Sequence, residues 1–126
     1  MSDKLLHREL SEKIISAFYE VYNTLGHGFL EKVYENALVI ALRKRGVVVH
    51  QQWPITVRFD GTIVGEYFAD LCIDELVIVE IKICDAICDA HKSQLLNYLT
   101  ATETEIGMIL NFGPEPSFTR KVMSKK

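Results

Sequence analysis

Residues Asp3 to Tyr22 place Leu6, Leu10, Ile14, Phe18 and Val21 at intervals of three or four, the period of a helix with one buried stripe. Ser2 and Asp3 are its candidate caps. The segment Asn23 to Gly28, NTLGHG, breaks the pattern. A second helix is predicted from Phe29 to Arg45, with Val33, Tyr34, Ala37, Leu38, Ala41 and Leu42 inward and Gly46 as its stop. The period then changes. Val47–Gln52 and Ile55–Phe59 read as strand, with Pro54 marking an edge or a bend. Asp60-Gly61 is a hairpin turn, and Thr62–Ile73 is the returning strand. Leu76–Ile83 (LVIVEIKI) is apolar on both faces, as a strand covered on both sides requires. A third helix, Ala90 to Ala101, precedes another buried strand, Ile106–Phe112, which Gly113-Pro114 ends. The predicted order is α-α-β-β-β-α-β. A helix between two strands implies a parallel crossover beside an antiparallel meander, hence an α/β fold with a central mixed sheet flanked by helices.

Composition narrows the class. The 126 residues suit one domain, and 48% hydrophobic with 25% charged residues is a globular balance that needs no staples. No apolar run approaches the ~18 residues of a membrane span. The opening MSDKLLHREL has no signal-peptide core, so the expected compartment is the cytoplasm. A net charge of −3 argues against a protein that coats nucleic acid non-specifically, but not against an enzyme that gathers metal ions with carboxylates. Arg120, Lys121, Lys125 and Lys126 read as a solvated basic tail. Cys72, Cys84 and Cys88 are an odd count, which argues against a disulfide framework. Cys84, Cys88 and His91 have ligand-like spacing, yet no paired CxxC is present, and buried or incidental thiols are the plainer reading.

The chemistry-bearing residues interrupt the apolar pattern. Glu80 and Lys82 lie two apart in the central strand and so share a face. Burying charge costs several kcal/mol per ion unless it is paired or metal-bound. A mutual salt bridge at the strand end is one account of the pair and a functional site is the other. Asp70, in FADLCI, is a disfavoured residue in the preceding strand. Beside Glu80 it would make a set of hard oxygen ligands of the kind Mg²⁺ or Mn²⁺ prefers. A two-residue turn at Asp74-Glu75 would set Asp70 opposite Val79 and leave Glu80 on the other face. Convergence therefore requires an odd loop such as Asp74–Leu76, or a bulge. In the second helix Glu31 and Glu35 share a face, and Glu31 equally suits the dipole of the first turn. In the third, Gln94 and Tyr98 are spaced alike, with His91 one turn earlier; a polar flank packed on the sheet would also explain them.

Taken in order, Gly28-x-x-Glu31-x-x-Tyr34, Ala69-Asp70, Glu80-Ile81-Lys82, His91-x-x-Gln94-x-x-x-Tyr98 and Asn111-Phe112-Gly113 resemble the small bacterial GxxExxY proteins of the PD-(D/E)XK nuclease superfamily. The resemblance runs from about Gly26 to Gly113, with a helix ahead of it and the basic tail behind. It implies a restriction-endonuclease-like core and metal-dependent phosphodiester hydrolysis with Mg²⁺ or Mn²⁺. On the matching positions Asp70 and Glu80 would bind metal with the Ile81 carbonyl, and Lys82 would be the catalytic lysine. Glu31 would be the helix acid, a ligand directly or through water, with Glu35 as its substitute. Gln94 and Tyr98 would orient the site or contact the nucleic-acid strand, His91 would join that rim, and Tyr34 belongs to the same orienting set. The proline that often precedes the aspartate is replaced by the sequence Phe68-Ala69. DNA is favoured over RNA as substrate, and the small acidic chain suggests a second copy or a partner to complete a groove. The competing reading is a catalytically silent nucleic-acid-binding or protein-interaction module on the same fold.

Overall fold

The computed structural model describes residues 7–125. Helices α1 (Arg8–Leu25) and α2 (Glu31–Lys44) precede strands β1 (Val49–Phe59), β2 (Thr62–Ile73) and β3 (Val77–Lys82). Helix α3 (Asp89–Ala101) then leads to β4 (Ile106–Asn111) and β5 (Ser117–Val122). The strands form one sheet in the order β1-β2-β3-β4-β5. β3 and β4 are parallel and all other neighbours antiparallel, so the mixed sheet is as the sequence predicts. The proposed caps Ser2 and Asp3, together with Leu6 and Lys126, lie outside the described residues.

The sheet is covered on both sides. Ile14, Phe18, Leu38 and Leu42 of α1 and α2 pack against Leu71, Val79, Ile81 and Leu110 on one face. Leu95, Tyr98 and Leu99 of α3 pack against Ile78 and Ile109 on the other. This double cover explains why every residue of β4, and of β3 up to Ile81, is buried. The inward stripe of α2 is rotated from the predicted one. Val33 is largely exposed, and Val39 is buried in its place because α2 is wedged between α1 and the sheet.

The expectation of a solvated C-terminal tail is corrected. The chain from Ser117 is not a solvated tail: Arg120 pairs with Met108, Lys121 with Gly107, and the Arg120 Nε donates to Ser11 Oγ at 3.0 Å. SFTRKV carries little hydrophobic alternation because β5 is an edge strand, where basic residues discourage further pairing. Pro54 marks an edge, as predicted: β1 is an outer strand of the sheet and runs through the proline as one strand. β1 is irregular in two places: its register with β2 shifts between Val57 and Arg58, and Gln52 has a left-handed φ of 55°. Val49, Trp53 and Ile55 should share a face by alternation. Val49 instead joins the α1/α2 core, whereas Trp53 and Ile55 pack on the α3 side. Across the ladder Leu71 and Ala69 divide the same way. The β1–β2 hairpin thus changes its facing at Gln52 and Asp70, and its outer half curls over α3.

Two polar anchors hold the loops at the sheet's end. The Tyr34 hydroxyl donates to the Gly26 carbonyl and accepts from the Phe29 N–H at 3.2 Å. Its ring stacks on Phe112, with centroids 4.4 Å apart. Buried Asn111 accepts from the Cys84 N–H at 3.0 Å and donates to the Cys84 carbonyl at 2.9 Å, tying the exit of β3 to the end of β4. At Gly113 an added Cβ would lie 1.9 Å from the Cys84 carbonyl oxygen, a backbone atom that cannot step aside. Gly113→Ala should therefore cost about 3 kcal/mol, at the upper end of overpacking penalties, read as a lower midpoint in urea unfolding at unchanged slope. A midpoint equal to wild type would show that the two loops are not in register as described.

Candidate active site

The ladder between β2 and β3 has three pairs, ending at Leu71↔Val79. Ile73 pairs with Val77, so the connecting loop is the three residues Asp74–Leu76, the odd loop that convergence requires. Asp74 and Glu75 both take left-handed φ values to close it. By this register Asp70 and Glu80 face each other next, and there side chains replace the backbone ladder. The Asp70 N–H donates to Glu80 Oε2 at 2.8 Å, and the Ile81 N–H donates to Asp70 Oδ2 at 2.7 Å. The strands have begun to part, and each carboxylate fills the place of a missing carbonyl.

This geometry brings two like charges together in a dry place. Glu80 is only 6% exposed. Burial, reinforced by the neighbouring Asp70 charge, pushes its carboxyl up to about 8. Burial also raises Asp70, partly offset by the Ile81 N–H. Glu31, at the first position of α2, is raised by partial burial and then by Asp70. Lys82 lowers all three, so its ammonium shares their field from the end of β3. The sequence-predicted Asp70, Glu80, Lys82 and Glu31 therefore lie in one electrostatic neighbourhood. Asp70 Oδ1 and Glu80 Oε1 have no protein hydrogen-bond partner among the described residues. A pair of close carboxylates, each with one oxygen unclaimed, fits a hard divalent cation. Among the described residues no three carboxylate, thiol or imidazole groups form a cage by themselves. Glu31 interacts with both members of the pair through its charge.

Other predicted residues hold the frame. Glu35 is buried and receives Lys32 Nζ at 3.0 Å, Gln51 Nε2 at 2.9 Å and Gln52 Nε2 at 3.3 Å. Its oxygens pin the left-handed turn of β1, and its charge also raises Asp70. Tyr34 is fully buried and orients the loop before α2, so it has no face to offer a substrate. His91 closes the first turn of α3, its Nδ1 accepting from the Cys88 N–H at 3.3 Å. Tyr98 lies beside the acids: burial first, then Glu80 and Asp70, raise its phenol. Gln94 is exposed on the same helix, one turn earlier. Sequence reasoning missed Gln52, whose only signal was its place two residues before Pro54, and Asn111 as a clamp.

The sequence matches the profile of the PD-(D/E)XK nuclease superfamily over residues 8–122. The chain belongs to the PD-(D/E)XK nuclease superfamily. Superfamily nucleases generally use divalent metals and act on nucleic acid. Among solved structures, the crystal structure of SSO0001 has a TM-score of 0.56 to this chain at 18% identity, a likeness of fold. The match covers 94% of this chain and 61% of that one. No curated protein shows a significant match. Among the described residues no helix is long and apolar enough to cross a membrane.

The raised acids have a consequence for stability. In the folded protein Glu80 holds its proton up to about 8, against 4.5 when unperturbed, so the folded state binds more protons across that window. Its contribution is fully present below 4.5 and is lost as the pH rises through about 8. In chelator the melting temperature should fall across this range, and Glu80→Gln should flatten the fall and melt higher at the alkaline end. Equal slopes for the two proteins would show that Glu80 is not buried beside a second charge.

Proposed function

We propose that the chain is a metal-dependent phosphodiester hydrolase of the GxxExxY type, acting on DNA in preference to RNA. The observation that carries the reading is the reciprocal bonding of Asp70 and Glu80 across parting strands, with Lys82 in their field. Structural salt bridging alone does not account for it, because the Asp70 charge disfavours an ionised Glu80 and neither acid forms an ion pair among the described residues. Asp70, Glu80 and the Ile81 carbonyl would hold Mg²⁺ or Mn²⁺, and Glu31 would reach the ion through a water. Bound there, the cation would supply Lewis-acid stabilisation of the negative charge on the phosphoryl oxygens and lower the pKa of attacking water.

The protein's own groups have separate tasks. The Ile81 N–H fixes the Asp70 carboxylate, and the Asp70 N–H fixes that of Glu80, so neither must reorganise when a phosphate arrives. Lys82 brings a positive charge to the side where anionic oxygen builds up. Asn111 holds the backbone two residues beyond Lys82 and so sets where that ammonium begins. Gln94 and Tyr98 line the approach from α3. A second copy or a partner would enlarge the nucleic-acid surface of this small acidic chain.

Purified protein should cleave DNA with Mg²⁺ or Mn²⁺ and stop when EDTA is added. Lys82→Ala should lower the rate by about a hundredfold or more with its circular dichroism unchanged, the scale of losing one positioned charge-stabilising group. Asp70→Ala should abolish cleavage; undiminished cleavage in that variant would refute the assigned site. Binding of DNA with no cleavage under any divalent metal would favour a silent binding module.

A further inference from the structure

The curled β1–β2 hairpin and helix α3 enclose an open groove of about 950 Å³. Arg58 and Tyr67 line it from the hairpin, and Ser93, Gln94, Asn97 and Tyr98 from α3. No aspartate or glutamate is among its lining residues, although the chain carries a net charge of −3. One wall of the groove lies toward the acid pair: Tyr98 packs in one cluster with Ala69, the residue before Asp70, and its phenol feels Glu80 and Asp70. Tyr67 stands over that end, its ring 5.9 Å from that of Tyr98, and is 51% exposed. Its same-face neighbours along β2 are Gly65 and Ala69, neither of which can cover the ring. An added Cβ on Gly65 would already touch the ring at 3.4 Å.

We infer that this groove is a track for single-stranded DNA, feeding the site proposed above and resting on that proposal for what happens at its end. An exposed aromatic ring beside an arginine, among neutral amide and hydroxyl groups, is the chemistry that grips one strand: a base face on the ring and a phosphate on the cation. A paired base has its faces occupied by its neighbours in the stack and cannot lie on Tyr67. The volume is that of a pocket for a few linked groups and does not seat a duplex. Tyr67 is the stacking platform, Arg58 the phosphate contact, and Asn97 and Gln94 the donors along the strand. A strand laid on them would present its backbone to Asp70 and Glu80 past Tyr98.

The test is fluorescence anisotropy of a labelled oligothymidylate at low salt in EDTA, so that binding is read without turnover. Wild type should hold the single strand at least about fivefold tighter than a blunt duplex of equal length, the low end of one base–aromatic stack. Tyr67→Ala and Arg58→Ala should each weaken it by a similar factor, and Tyr67→Phe should bind as wild type. Gly65→Leu should also weaken binding, because it covers the ring without removing it. Affinity unchanged in both Tyr67→Ala and Gly65→Leu, or tighter binding of the duplex or of an oligouridylate, would overturn the inference. A parallel cleavage assay separates the two proposals. Metal-dependent cleavage with Tyr67-independent binding leaves the hydrolase and removes the track. Tyr67-dependent binding with no cleavage leaves the track and removes the hydrolase.

Discussion

The structure turns on two hydrogen bonds at the point where β2 leaves β3. An antiparallel ladder that simply stopped would leave N–H groups at a buried position, each costing about 1–3 kcal/mol if unmet. Here the Asp70 and Ile81 N–H groups are met by carboxylates from the opposing strands. The exchange satisfies the backbone and fixes two acids at the mouth of the fork. It also leaves a residual electrostatic strain, since Glu80 is buried, Asp70 is partly buried and the two are alike in charge. Backbone satisfaction and readiness for a cation are therefore one arrangement seen from two sides.

The rest of the fold serves the fork. β3 is held from behind by its parallel neighbour β4 along its whole length, so its end does not move when β2 turns away. Asn111 carries that support past the last ladder pair to Cys84. β2 is free to leave because Gln52 takes a left-handed turn opposite Asp70, and Glu35 of α2 holds Gln51 and Gln52 in place. α2 thus contributes twice, with a buried clamp at Glu35 and a more exposed charge at Glu31. The bend re-aims the outer hairpin toward α3, and the groove beside the acids exists only because of it.

The main elements were legible because their periods are unmixed. LVIVEIKI has no helical stripe, and the spacing from Leu10 to Val21 has no strand alternation, so type and order followed from counting. β5 was not legible: an edge strand with one covered face and charges on its rim looks like a tail until a neighbour is known. The shifted stripe of α2 was hidden for a related reason. A helix packed on both a sheet and another helix buries a wider arc than one stripe describes.

At the site, the acids and the lysine were visible because charge within an apolar strand is costly and demands an account. The sequence also dictated that Asp70 and Glu80 could meet only across an odd loop or a bulge, and the structure has the odd loop Asp74–Leu76. Alternation has no memory of which side is the core, so it could not reveal that the hairpin changes face at Gln52. Nor could it reveal that Glu35 is bonded to the amides of β1 whereas Glu31 is not, since both stand on one helical face and both lend charge to the site. Those distinctions depend on what approaches from elsewhere in the chain. The sequence by itself determined which residues carry charge into the interior and how the strands alternate. Only the tertiary structure decided which of those charges are already spent on backbone and amide partners and which are left to act.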